Sequence, residues 1–212
     1  MMENDVQTLN LLDLFMQGGW YIMMPLTFLL AVAIFITIER FLTIGAATKG
    51  TTAFMQKMEN FLRDNNIEAA KNFCVQYNTP YSRMVEKALE KIKLPIKEIT
   101  LTLENAGKME IYNLEDRLSL LATISGVAPM IGFLGTTIGM ILTFHQMSLA
   151  GVEIQALSGG IMQAMVTTVG GLIVGIYAYI VYNLLVNKIT KVVYKMEEIS
   201  LLFVETLEAN RT

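Results

Sequence analysis

The polar chemistry of this chain sits in two apolar stretches, as a set of hydroxyls and one amide: Thr136 and Thr137 in the first, Gln163, Thr167 and Thr168 in the second. At helical spacing Gly132, Thr136, Gly139 and Thr143 share one face. Thr168, Gly171 and Gly175 share another, as do Gln163 and Thr167. Hydroxyls donate and accept hydrogen bonds but do not titrate near neutral pH. A layer of them can line an ion path, yet an intramembrane proton relay uses ionisable groups, and these stretches hold none except His145. The carboxylate that such a path needs is therefore expected from a partner. The competing reading is structural. Ten of the fifteen glycines fall within residues 126–175, and small residues at this spacing let helix backbones approach closely where lipid supplies no hydrophobic drive. Gly132, Gly139, Gly171 and Gly175, with Pro129, are the expected packing and partner-contact positions.

The elements that must carry these residues follow from charge and hydropathy. Of 212 residues 53% are hydrophobic and only 17% charged, against roughly 25% charged in a soluble domain; mean hydropathy is +0.47. Residues 14–38, 118–152 and 154–187 contain no Asp, Glu, Lys or Arg, and each run exceeds the roughly 20 residues that cross a hydrocarbon core. Three spans are predicted. All 16 Lys and Arg fall in 40–117 or 188–211, so the positive-inside rule puts the N-terminus outside, 40–117 inside, the 148–158 turn outside and the C-terminus inside. Nothing basic precedes the first span, as a signal peptide would require.

These constraints predict an all-α, three-span integral membrane protein whose long helices extend into a helical cytoplasmic domain. The expected division is an outer amphipathic segment at 1–18, spans at 19–39, 118–147 and 159–187, a cytoplasmic domain at 40–117, an outer turn at 148–158 and a cytoplasmic helix at 188–212. Within the inner domain Phe54, Met58, Phe61 and Leu62 have helical spacing, and Asn78-Thr79-Pro80 and Lys93-Leu94-Pro95 are expected breaks. The second and third uncharged runs are longer than a bilayer needs, so their apolar faces must continue into the cytoplasm and pack against partners. Oligomerisation is expected.

If the outer turn is taken as the origin, Thr136 lies about ten residues and Thr168 about nine residues along its span, so both sit roughly 13–15 Å deep. Gln163 lies nearer the outer surface. Pro129 is expected to kink its helix and free a carbonyl. His145 reads as an interfacial polar group, and Cys74 as a reduced apolar side chain. No metal cluster, nucleophile triad or phosphate loop is evident, so no cofactor, catalytic residue, nucleic-acid partner or enzymatic role is expected.

The segments LEDRLSLLATISGVAPMIGFLGTTIGMILTF (114–144) and SGGIMQAMVTTVGGLIVGIYAYIVYN (158–183) resemble the paired second and third spans of the MotA/TolQ/ExbB proton-channel family. The three-span, N-out plan and Ile38-Glu39-Arg40-Phe41 resemble its ExbB/TolQ branch. The resemblance implies a homopentamer in the bacterial inner membrane, in contact with lipids, enclosing a dimer of ExbD/TolR-like single-span partners in a central pore. Each partner would bring a membrane aspartate. It also implies a proton-driven motor that passes work to a TonB-like periplasmic protein, with Thr136 and Thr168 as pore threonines. TolQ-like envelope integrity, a gliding or secretion motor, and a non-conducting helical scaffold are the alternatives. The chain departs from the family pattern at Gln163, where well-known members carry glutamate. It departs again at Gly175-Ile176-Tyr177, where a proline is missing. Proton and sodium both suit what remains.

Overall fold

The computed structural model describes residues 18–47, 50–151 and 154–211. The amphipathic segment expected over 1–18 lies, except for Gly18, outside the described residues, as does part of the expected outer turn. Among the described residues seven helices follow in order: α1 (Trp20–Ala47), α2 (Thr51–Arg63), α3 (Ile67–Tyr77), α4 (Pro80–Glu90), α5 (Ile96–Glu115), α6 (Leu118–Ala150) and α7 (Ile154–Arg211). No strand occurs among the described residues. The all-α expectation holds, and among the described residues three helical stretches are long and apolar enough to cross a membrane.

The chain divides into two compact units. One joins the chain up to Thr37 with Ser119–Tyr182; the other joins Ile38–Leu118 with the chain from Asn183 on. In the first, α1 buries Leu26, Ala33 and Ile36, α6 buries Leu121, Ile124 and Ala128, and α7 buries Ala164, Val174, Ala178 and Val181. Spacings of three and four put each set on one helical stripe. The other faces carry Phe28, Phe35, Met130, Phe133, Ile141 and Met165, all exposed. Only 28–33% of the most apolar window of each spanning stretch is buried. In water such a surface would aggregate; in lipid it is the stable one. Tyr177 donates to the Thr37 hydroxyl at 3.1 Å, and Thr37 donates to the Ala33 carbonyl at 2.6 Å, so the polar atoms between α1 and α7 are satisfied.

The second unit is built as a water-soluble domain is. Thr79 caps α4 in a reciprocal box with Ser82, and Pro80 occupies the first turn, where its missing N–H costs nothing. Asn66 caps α3 through the Ala69 N–H, and Asn78 ends that helix in the left-handed conformation that asparagine tolerates. Phe54, Met58, Tyr81, Met84, Leu89, Ile99 and Leu103 form the core with Val192, Met196, Ile199 and Phe203 of α7. Arg83 forks onto the Glu110 carboxylate, joining α4 to α5. Between α5 and α6 the helix breaks at Asp116–Arg117, where Arg117 adopts φ +62°. A left-handed non-glycine residue costs about 1–2 kcal/mol, so something outside the backbone holds it there.

Candidate functional site

Where α6 meets α7, the two backbones touch. A Cβ on Gly171 would lie 2.6 Å from the Ala128 carbonyl oxygen and 2.9 Å from Gly132 Cα; one on Gly132 would lie 2.8 Å from the Thr167 carbonyl oxygen. No larger residue fits at either place. The seam continues both ways as small-against-large pairs. Toward residue 143, Gly139 lies against Ala164 and Gly160 against the Thr143 hydroxyl. Toward residue 125, Gly175 yields to the Pro129 ring, with the Ser125 carbonyl oxygen 3.1 Å from where its Cβ would stand. Pro129 has no N–H, so that carbonyl loses its usual helical partner. α6 nevertheless runs unbroken through Pro129. Pro129, Gly132, Gly139, Gly171 and Gly175 all lie along this seam.

The close approach brings three hydroxyls onto two main-chain carbonyls. Thr167 is fully buried and donates to the Ala164 carbonyl at 2.7 Å, with the Gly132 carbonyl 3.3 Å away. The Thr136 hydroxyl lies 3.2 Å from the Gly132 carbonyl and 3.3 Å from that of Ala164, and it is hydrogen-bonded to the Thr168 hydroxyl. Thr168 in turn approaches the Gly132 carbonyl at 3.4 Å. Each hydroxyl has one proton and two lone pairs. Two carbonyls and the Thr136–Thr168 bond absorb all three protons. What remains is lone-pair density on two half-buried side chains, which can accept a hydrogen bond from a protonated acid or help coordinate a cation. It cannot supply a charge of its own.

The other predicted residues lie elsewhere. Thr137 is exposed and bonds back to the Leu134 carbonyl at 2.8 Å. Gln163 faces the start of α1: its amide nitrogen is 2.6 Å from the position a Cβ on Gly19 would take, at a residue whose φ of +76° already demands glycine. Thr167 shares that side, since a Cβ on Gly135 would meet both Thr167 and Ile22. The polar layer therefore separates into a Thr136–Thr168 pair in the α6–α7 seam and a Gln163–Thr167 row turned toward α1. Missed in the sequence were the acceptors, the Gly132 and Ala164 carbonyls; the glycine at 132 was the available signal. His145 is exposed near the end of α6. Among the described residues no three His, Cys, Asp or Glu side chains gather to hold a metal.

Residues 76–198, which include this whole seam, match the MotA/TolQ/ExbB proton channel family. The chain belongs to that family. An ExbB-like protein 1 of Synechocystis is 30% identical over 192 residues, covering 85% of this chain and 72% of that protein. The Tol-Pal system protein TolQ of Haemophilus influenzae is 29% identical over 193 residues, covering 82% and 83%. An ExbB-like protein 2 of Helicobacter pylori is more similar but over less: 44% identity over 82 residues, 38% of this chain and 54% of that protein, so the chain spans about half of that relative's length. These names agree with the ExbB/TolQ branch expected from the sequence. A MotA/TolQ/ExbB protein is a multi-pass membrane protein of a channel family, not a member of an enzyme class.

Proposed function

We propose that this chain is the stator subunit of an ion-driven motor in the bacterial inner membrane. Its N-terminus lies outside and its C-terminus in the cytoplasm, and five copies surround a dimer of ExbD/TolR-like single-span partners. The expected division into spans, outer turn and cytoplasmic parts belongs to the same proposal. So do the site residues: Thr136 and Thr168 line the ion path, with Thr167 fixing the carbonyls they share, and Gln163 and Thr137 beside it. The observation that carries the reading is the Thr136–Thr168 pair, two hydroxyls with open lone pairs in an acid-free seam. Such a pair carries no charge to balance an ion within the membrane, and a partner helix with a membrane aspartate supplies one. The free energy of the ion gradient then drives the partner against the ring, and a TonB-like protein carries the work to outer-membrane uptake.

Thr136→Val and Thr168→Val test this in cells that depend on such uptake. Each should lower gradient-driven uptake by about 10-fold or more, as loss of a single preorganised polar group does, while the complex still assembles with its partner. Thr168→Ser should keep most activity. A non-conducting scaffold predicts full activity in all three. The TolQ relative, which covers most of both chains, favours a second reading, in which the same motor maintains the envelope. Sensitivity to detergents with normal nutrient uptake in a deletion strain would select it. Repeating the uptake assay with sodium removed separates the two coupling ions.

A further inference from the structure

The break between α5 and α6 has no cause in its own sequence. Residues 113–120 (NLEDRLSL) hold neither glycine nor proline, and by length and composition Ile96–Leu149 reads as one continuous stretch. Yet Asp116 is extended (φ −49°, ψ 141°) and Arg117 is left-handed. The other non-glycine residues with positive φ among those described, Asn65 and Asn78, are of the type that conformation favours; arginine is not. What fills the break is charge delivered by α1. Arg117 Nη1 donates to Glu39 at 2.6 Å. Arg40 Nη2 donates to Glu39 at 3.2 Å and reaches Asp116 at 3.5 Å. Arg40 Nη1 donates to the Asn113 carbonyl at 3.1 Å, one of the last carbonyls of α5, which no helical N–H reaches. The Arg40 side chain is only 7% exposed and its Nε has no partner, so this arginine is held for what its two Nη groups do.

We propose that Glu39, Arg40 and Arg117 are positioning residues forming a latch that holds the α5–α6 joint in its broken form, and that release of the latch lets the helix run through residues 113–120. Each form has its own compensation. Broken, the joint gains the ion pairs and the arginine cap. Continuous, it gains the backbone hydrogen bonds that the N–H groups at the start of α6 otherwise lack, and Arg117 leaves its strained conformation. A joint balanced in this way is a two-state element. It lies on the chain between the threonine seam and the cytoplasmic helices, so its state sets the direction in which the chain leaves α5. That it serves the motor rests on the reading proposed above; that it is a latch does not.

Hydrogen exchange of the amides of 117–120, measured on the full complex in lipid bilayers, reads the joint directly. In the wild type these amides should exchange fast. Arg117→Ala and Glu39→Gln should slow them by about 10-fold or more, as the helix closes over them, and should lower gradient-driven uptake. Arg117→Gly takes φ > 0 without strain, so it should keep fast exchange and recover much of the uptake. Wild-type exchange in Arg117→Ala, or identical behaviour of the alanine and glycine variants, would overturn the latch. If the variants alter exchange as expected but the wild type performs no gradient-driven work, the latch stands and the motor reading fails.

Discussion

The α6–α7 seam and the α2–α4 core solve the same packing problem with opposite materials. In the seam, Gly132, Gly171 and Gly175 bring backbone against backbone or ring, and the polar atoms between the helices are main-chain carbonyls and threonine hydroxyls. In the core, Phe54 lies with ring centroids 5.1–5.4 Å from Phe73, Tyr77 and Tyr81, and large side chains do the filling. The solvent explains the difference. Water rewards burial of a phenylalanine, whereas lipid is already as apolar as the side chain. Membrane helices gain instead from close van der Waals contact and short polar bonds. A seam built this way has no slack, and that rigidity keeps Thr136 against Thr168.

The sharpest way to break the contrast is to add volume to the seam. Gly171→Val should abolish a folded, membrane-inserted protein, because the nearest atoms are backbone and cannot rotate away. Gly126→Ala, where nothing lies within 4 Å of the new methyl, should be neutral. Yield of the intact protein by size-exclusion chromatography distinguishes them. Removing volume from the other region is the next largest effect. Phe54→Ala should cost about 3–5 kcal/mol, read as a lowered denaturation midpoint of helices α2–α4 by circular dichroism. The smallest effect concerns Cys74, whose thiol is pushed up from 9.0 to about 12 by burial and then by the Glu86 charge. The folded state keeps this proton after the unfolded state has lost it. Its contribution to stability is therefore complete below pH 9 and disappears as pH rises from 9 toward 12. Thiol labelling at pH 7.5 should be slow until denaturant is added.

Much of the fold was legible because hydropathy and charge act residue by residue. The three uncharged runs, the proline-marked breaks at 80 and 95 and the hydrophobic stripe of α2 each report a local free energy. The seam was legible in part for the same reason, since glycine at helical spacing admits only close neighbours. Gln163 and Thr137 show where that reasoning stops. Both are polar residues in apolar helices, but polarity does not specify a face. Gln163 turned to Gly19 because α1 packs there, a contact more than 140 positions away in the chain.

What the amino-acid sequence determined alone is the all-helical class, the three long apolar runs and the small residues that let backbones touch, because each is a property of a short window in its solvent. What only the tertiary structure decided is which hydroxyls share an acceptor and why the helix stops at Arg117. A hydrogen bond or an ion pair needs two groups brought to within about 3 Å, and here those groups come from different helices. The chain's own propensity at residues 113–120 is for helix; Glu39 and Arg40 overrule it from α1.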